Sequence, residues 1–133
     1  MSNRRYNGEQ VIDNWDSVFR ALSSEPRRQI IVSLLDAPAD QSVPLPESAV
    51  NPNVPPNTET LRQQLHHAHL PMLAEMGFIT WETEPFVAAR GPQFEEAAVV
   101  FDALHTEATS IPGSLVFGCQ RLEEEQQQNI DIE

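Results

Sequence analysis

Apolar residues recur at helical spacing in several short segments of the chain, and prolines are grouped between those segments. The first set predicts a helix over residues 14–22, capped by Asp13 or Asn14; its members are Trp15, Val18, Phe19 and Leu22. A second helix is predicted over residues 25–35, because Ser24 is a favourable N-cap and Pro26 suits the first turn. Its apolar stripe consists of Ile30, Ile31, Leu34 and Leu35.

The segment from residue 37 to residue 56 is dominated by proline. Its prolines exclude a long helix or a central strand, since each lacks an N–H donor; they are Pro38, Pro44, Pro46, Pro52, Pro55 and Pro56. We expect only a short edge strand over residues 42–45 and a single helical turn over residues 47–50, with Pro46 at its start.

A longer helix is predicted over residues 59–76, with Asn57 or Thr58 as its cap and Gly77 ending it. Pro71 removes a hydrogen bond to the His67 carbonyl, so the helix must kink there or divide into two halves. On a helical wheel one side is apolar and comprises Leu61, Leu65, Ala68, Met72, Leu73 and Met76. The opposite side, which the helix offers to a partner, comprises Thr60, Gln63, Gln64 and His67.

The remaining pattern predicts a hairpin and one further helix. Residues 78–83 alternate, Glu84 and Pro85 predict a turn, and residues 86–89 return as a second strand. A helix over residues 93–105 follows, with an apolar side formed by Phe94, Ala97, Ala98, Phe101 and Leu104. Residues 111–122 are apolar without a clear period, and the acidic residues 123–133 are expected to form a solvated tail.

Composition limits the class of protein. The 133 residues include 20 acidic and eight basic side chains, a net charge of −12, and all eight bases are arginine. The length supports one domain and excludes a multi-domain enzyme. High acidity without lysine indicates a halophilic cytoplasm, the alternative being an acidic mesophilic protein. In molar salt, where screening is strong, net charge is a poor guide to nucleic-acid binding.

Several site types lack support in the sequence. No run approaches about 18 apolar residues and no apolar segment follows the first arginines, so we expect a cytoplasmic protein without membrane contact. Cys119 is alone, which excludes an intrachain disulfide or a multi-cysteine metal cage. His66 and His69 can supply two metal ligands, but no third is fixed. The alternative for His69 is a buried hydrogen bond, because it falls on the core side of the wheel. Without a phosphate loop, nucleophile elbow or HExxH motif, we expect neither an enzyme nor a cofactor.

Two motifs resemble the ArsR-type winged helix-turn-helix transcription regulators. Residues 21–28, ALSSEPRR, followed by the apolar IIVSLL, are similar to the opening of that family. Residues 69–79, HLPMLAEMGFI, resemble the end of its recognition helix and the first wing strand. The resemblance covers about residues 14–90 and, with the composition, suggests a haloarchaeal member. The cysteine pair of the metal-sensing members is missing, so metal sensing is not implied.

The resemblance implies a mainly helical fold with a small β-hairpin wing. A winged helix-turn-helix domain with terminal dimerisation helices would occupy residues 1–110, and a C-terminal extension with an acidic tail residues 111–133. The chain is then expected to form a homodimer, whose interface residues would be Trp15, Phe19, Phe94, Phe101 and Leu104. The alternative is that these side chains close the core of the monomer.

The expected partner is double-stranded DNA, with no metal or small-molecule effector indicated. In a major groove Gln63 and Gln64 can bond adenine, and His67 can bond guanine. The expected phosphate contacts are Thr58, Thr60, Arg27, Arg28, Arg62 and Arg90. The alternatives are a solvated helix face and, for the arginine pair, salt bridges to Glu25 or an acidic neighbour.

Two functions are compatible with these residues. The first is a sequence-specific transcription regulator that acts by promoter occupancy. The second is a winged-helix module that binds a protein partner and has lost DNA binding. The wing carries Glu82 and Glu84 with Arg90 as its one base, which favours the second function. The Gln and His face favours the first.

Overall fold

The computed structural model describes residues 7–116 and 122–127, in which helices flank one small antiparallel sheet. Helix α1 spans Gly8–Leu22 and helix α2 spans Glu25–Asp36. Helix α1 begins earlier than predicted because Asn7, rather than Asp13 or Asn14, is its cap and accepts the Gln10 N–H at 2.7 Å. Helix α2 confirms the prediction, although the Ser24 side chain makes no capping bond.

The sheet joins the proline-rich segment to the hairpin. Strand β1 is Val43–Pro44, β2 is Ile79–Thr83 and β3 is Phe86–Arg90, and their order is β1-β3-β2. Ala88 pairs with Trp81 on one side and Val43 on the other. The predicted edge strand and hairpin are therefore confirmed. A 3-10 turn, Glu47–Ala49, follows Pro46 at the predicted place.

The long helix runs from Thr58 to Glu75 and is divided by a π turn. It consists of α3 (Thr58–Gln64), the π turn (Leu65–His69) and α4 (Leu70–Glu75). Asn57 caps it by accepting the Thr60 N–H at 3.0 Å. The π turn ends just before Pro71, which lies in the first turn of α4 and has no N–H to donate to the preceding turn. Of the two outcomes predicted for Pro71, a kink or two distinct halves, the structure shows two halves, separated by a π turn that ends at His69.

The π turn changes which residues of the long helix face the core. Leu61, Leu65 and Leu73 are buried as the wheel predicts. Ala68, which was expected to be buried, is exposed, and Leu70 is fully buried instead. An extra residue in one turn rotates the following helix by about 100°, so a regular wheel fails beyond that turn.

Gly77 ends the long helix with a φ of 83°, the left-handed conformation predicted for it. Helix α5 (Phe94–Thr106) follows the hairpin, then a 3-10 turn (Ala108–Ser110) and α6 (Gly113–Val116). Residues 122–127 are helical, and the Gln126 side chain donates to the Ala108 carbonyl at 2.7 Å. Glu123, Glu124 and Gln127 are exposed in this helix, as expected for a solvated tail. Residues 117–121 and 128–133, parts of the predicted extension and tail, lie outside the described residues.

The core lies between α1, α2, the long helix, the sheet and α5. Its largest fully buried side chains are Phe78, Ile30, Ile31, Leu34, Leu65, Leu70, Leu73 and Ile79. Phe94 and Phe101 are also buried, at 2% and 9% exposure, so their assignment to a dimer interface is corrected: they close the core of their own chain. Among the helices described, none combines the length and apolar character needed to cross a membrane.

Replacing Gly77 by alanine should lower the free energy of unfolding by about 1–2 kcal/mol, because L-residues are disfavoured at positive φ. The added Cβ would also lie 2.8 Å from Cγ of Gln93. The matched control is Gly8→Ala, since a Cβ at Gly8 meets nothing within 4 Å. We expect the control to stay within about 0.5 kcal/mol of the wild type in urea unfolding. Equal effects of the two substitutions would contradict a left-handed turn at Gly77.

Candidate nucleic-acid interface

The long helix presents an uncharged polar face to solvent. Thr60, Gln63, Gln64 and His67 are all exposed, as predicted, and Thr58 is exposed at the start of the helix. The face is set by Leu61 and Leu65, which are buried on the opposite side. Hydroxyl, amide and imidazole groups are the donors and acceptors that can bond base edges or phosphate oxygens. Contact of these residues with DNA stays a prediction.

Aromatic contacts join the long helix to the hairpin. The His66 ring stacks on Phe86 with centroids 4.5 Å apart and meets the Trp81 ring edge-on at 5.8 Å. His66 also donates from Nδ1 to the Arg62 carbonyl at 2.9 Å, and the Arg62 guanidinium lies 5.4 Å from the centre of the Phe86 ring. The helix and the hairpin therefore form one continuous surface.

Arg27 is buried, and its expected contact with phosphate is corrected. It is 7% exposed, and its guanidinium donates to the Ala21 carbonyl (3.3 Å), the Arg20 carbonyl (3.0 Å) and the Ser23 hydroxyl (2.9 Å). A fourth bond, 2.8 Å long, reaches Nδ1 of His69. These carbonyls lie in the last turn of α1, and the Arg20 carbonyl also accepts the Ser23 N–H (3.3 Å) and the Ser23 hydroxyl (2.9 Å). Arg27 therefore adds to the cap of α1 from α2.

Arg28 adds to the same cap. It donates from Nη1 to the Leu22 carbonyl at 2.6 Å and forms an ion pair with Glu25 at 3.6 Å. The alternative predicted for this residue, a salt bridge to Glu25, is confirmed. Its side chain is 36% exposed, so it can still approach a phosphate.

Arg90 is also bound within the protein, which corrects its assignment as a phosphate contact. Its Nη2 donates to the carbonyls of Leu34 (2.8 Å) and Ala37 (3.2 Å), and its guanidinium covers the Phe94 ring at 4.8 Å. Glu95 lies 3.7 Å from its Nη1. The hairpin thus offers Glu82 and Glu84 at its surface, while Arg90 ties the base of the hairpin to α2.

His69 makes an internal hydrogen bond in a partly buried position, as its place on the core side of the helix predicts. Burial and the neighbouring Arg27 charge lower the pKa of His69, so the ring is neutral near pH 7. Burial, and next the charge of Arg28, lower the pKa of Arg27. No group of three metal-binding side chains exists among the residues that the structure describes.

The pairing of Arg27 with His69 was missed at the level of sequence. A signal was present, because residue 27 lies on the same helical stripe as Ile30, Ile31 and Leu34, at offsets of three, four and seven. All four side chains are buried. An arginine on a buried stripe requires internal partners, since unpaired charges are costly to bury.

A second exposed surface is apolar and lies on the terminal helices. Trp15 and Phe19 stack at 5.7 Å and are 48% and 59% exposed, and Leu104 of α5 is 51% exposed. Other large exposed apolar residues on these two helices are Val11, Ile12 and Val99. This surface retains three of the predicted dimer residues, Trp15, Phe19 and Leu104, and dimerisation stays a prediction.

Comparisons with known proteins gave no matching family model, no similar curated protein and no similar solved structure.

Replacing Arg27 by lysine should lower the free energy of unfolding by about 2 kcal/mol, because an ammonium cannot reach the acceptors that the guanidinium fork joins. The charge is kept, so the loss reports the bonding geometry. Arg62→Lys is the matched control, since Arg62 is exposed, and we expect it to change stability by less than about 0.5 kcal/mol. Urea unfolding measures both free energies, and the dependence of the unfolding free energy on urea concentration should be the same in the wild type and the two variants. An Arg27→Lys variant with the same free energy of unfolding as the wild type would refute the cap.

Proposed function

We propose that this chain is a sequence-specific DNA-binding transcription regulator that acts by occupying a promoter. In this proposal it is a winged helix-turn-helix of the ArsR type. The observation that carries the proposal is the exposed polar face of the long helix, which lies directly before a hairpin and is free of acidic residues between Thr60 and Pro71. The order of α2, β1, a 3-10 turn, the long helix and the β2–β3 hairpin agrees with this class.

The proposed mechanism places the long helix in the major groove, which is about 12 Å wide and admits a helix. Gln63 and Gln64 bond adenine through N6 and N7, and His67 bonds N7 of guanine. Thr58 and Thr60 bond phosphate oxygens and set the depth of the helix. The aromatic contacts of His66 keep the hairpin alongside, where it borders the same groove.

Base contacts must supply more of the affinity than is usual. Arg62 is the exposed cation of the long helix, and Arg28 is partly exposed, while Arg27 and Arg90 are bound internally. Few phosphates can then be neutralised, so counterion release contributes little. The small number of phosphate contacts agrees with adaptation to molar salt, because counterion release contributes little to DNA affinity at such salt concentrations for any protein.

A second candidate function is binding of a protein partner without DNA. It is favoured by the internal use of Arg27 and Arg90 and by the exposed Glu82 and Glu84 of the hairpin. The two functions make different predictions for DNA: only the first requires that the polar face of the long helix selects particular DNA sequences.

We further propose that the regulator is a homodimer joined through the apolar surface of α1 and α5. Trp15, Phe19 and Leu104 contribute, whereas Phe94 and Phe101 support the surface from inside the core. A two-fold dimer places two long helices about 34 Å apart, which matches successive major grooves on one side of DNA.

Replacing Gln64 and His67 together by alanine should remove the preference for duplexes that the wild type selects from a random library. Both side chains are exposed, so stability should change by less than about 0.5 kcal/mol. The matched control is Gln41→Ala, an exposed glutamine outside the long helix, which should bind as the wild type does. Fluorescence anisotropy in molar KCl measures each affinity. Unchanged selectivity in the double variant would overturn the assignment of the reading face.

Replacing Phe19 by glutamate should convert the dimer to a folded monomer. The dimer is lost because a charge is placed in the apolar surface, and the monomer stays folded because the Phe19 side chain is already 59% exposed in the single chain. Leu115→Glu is the control, since Leu115 is 66% exposed and lies on α6. Sedimentation equilibrium distinguishes the two masses. A wild type that is monomeric at all concentrations, or a Phe19→Glu dimer, would refute this interface.

A further inference from the structure

A partly buried hydrogen bond joins α2 to the π turn of the long helix. Nη1 of Arg27 lies 2.8 Å from Nδ1 of His69, and the two residues are 42 positions apart in the sequence. Three further bonds hold the same guanidinium to the end of α1, at Arg20, Ala21 and Ser23. Arg27 therefore cannot turn away from His69 without breaking the α1 cap.

The chemistry of the two groups allows this bond in one protonation state only. A guanidinium donates and has no acceptor, so Nδ1 of His69 must be the acceptor and the ring must be neutral, with its proton on Nε2. Protonation of Nδ1 would place N–H against N–H and one positive charge against another. The bond would be replaced by repulsion in a site that is partly shielded from water.

The charges around His69 reinforce this dependence. From α2, Arg27 faces the ring directly and Arg28 stands next to Arg27, while Glu25 is engaged by Arg28 and by Asn51. The groups that α1 brings to this site are backbone carbonyls, and they accept hydrogen bonds from Arg27 rather than from His69. On the long helix itself, His66 is turned to Phe86 and His67 is exposed.

From this geometry we propose that Arg27 and His69 form a proton-sensitive switch that holds the long helix to α1 and α2 at neutral pH and releases it on acidification. The switch does not require that the long helix binds DNA, because it rests only on the contact between the helices. His69 is a positioning residue in this arrangement. Its bond anchors the last residue of the π turn to α2, so the bond fixes the position of the long helix at the turn that reorients it.

The direction of the pH effect follows from the lowered pKa of His69. The unfolded chain takes up a proton near pH 6.5, the ordinary value for histidine, whereas the folded chain resists protonation to lower pH. The unfolded state therefore binds more protons as pH falls below about 6.5, and stability declines. The contribution of the bond is complete above about pH 6.5 and is lost as pH falls through the lowered pKa.

The test uses His69→Asn, in which the amide oxygen takes the place of Nδ1 and accepts from Arg27 at every pH. His67→Asn is the matched control, an exposed histidine two residues away. Urea unfolding and amide hydrogen exchange of the long helix are followed from pH 7.5 to 5 in molar KCl. Between pH 7.5 and pH 5 the folded-to-unfolded ratio should fall for the wild type and for His67→Asn. We expect this fall to be at least about threefold larger than the fall for His69→Asn, since each unit by which the pKa of His69 is lowered changes the ratio by a factor of about ten. Parallel pH profiles for wild type and His69→Asn would overturn the switch.

A second measurement, on the wild type, tests the switch even if His69→Asn does not fold. Imidazole 15N shifts report the tautomer and the pKa of the His69 ring. His69 is expected to carry its proton on Nε2 at pH 7.5 and to titrate below the ordinary histidine value of about 6.5. Titration of His69 at or above that value, or a proton on Nδ1 at pH 7.5, would contradict the proposal.

Discussion

The guanidinium of Arg27 holds three helices in one arrangement. Its bonds satisfy carbonyls at the end of α1, and it extends from α2 to His69 in the π turn of the long helix. A buried arginine is stable only when its donors are matched, so these helices cannot shift independently. Arg90 makes a similar connection from the hairpin to the carbonyls of Leu34 and Ala37 near the end of α2.

This use of arginine explains how an acidic chain can present an uncharged polar helix face to solvent. Arg27 and Arg90 stabilise carbonyl groups inside the fold, where cations are favourable, instead of standing at the surface. The long helix then exposes amide, hydroxyl and imidazole groups with Arg62 beside them. In the proposed function, selectivity comes from hydrogen bonds to bases, and the apolar α1–α5 surface supplies the second copy that doubles the contacts.

Hydrophobic periodicity was sufficient to predict most of the helices and strands and part of the exposed polar surface. The hairpin, the left-handed Gly77 and the exposed set of Gln63, Gln64 and His67 all follow from local rules. The π turn did not, because a helical wheel assumes one rotation per residue, and Ala68 was therefore misplaced. Phe94 and Phe101 were assigned to an interface because spacing identifies an apolar face without saying what covers it. The bond of Arg27 to His69 and the bonds of Arg90 to α2 join residues 42 to 56 positions apart, and single-sequence patterns do not identify such pairs.

The proposal that the long helix reads DNA is tested most directly by presenting the purified protein with fragmented DNA from its own genome in molar KCl. The bound fraction is recovered and sequenced after circular dichroism has verified that the protein is folded. We expect a few sharply enriched sites that share an inverted repeat, with half-sites about one helical turn apart. Uniform recovery of fragments, or none, would contradict DNA reading by the long helix and would favour the protein-binding function.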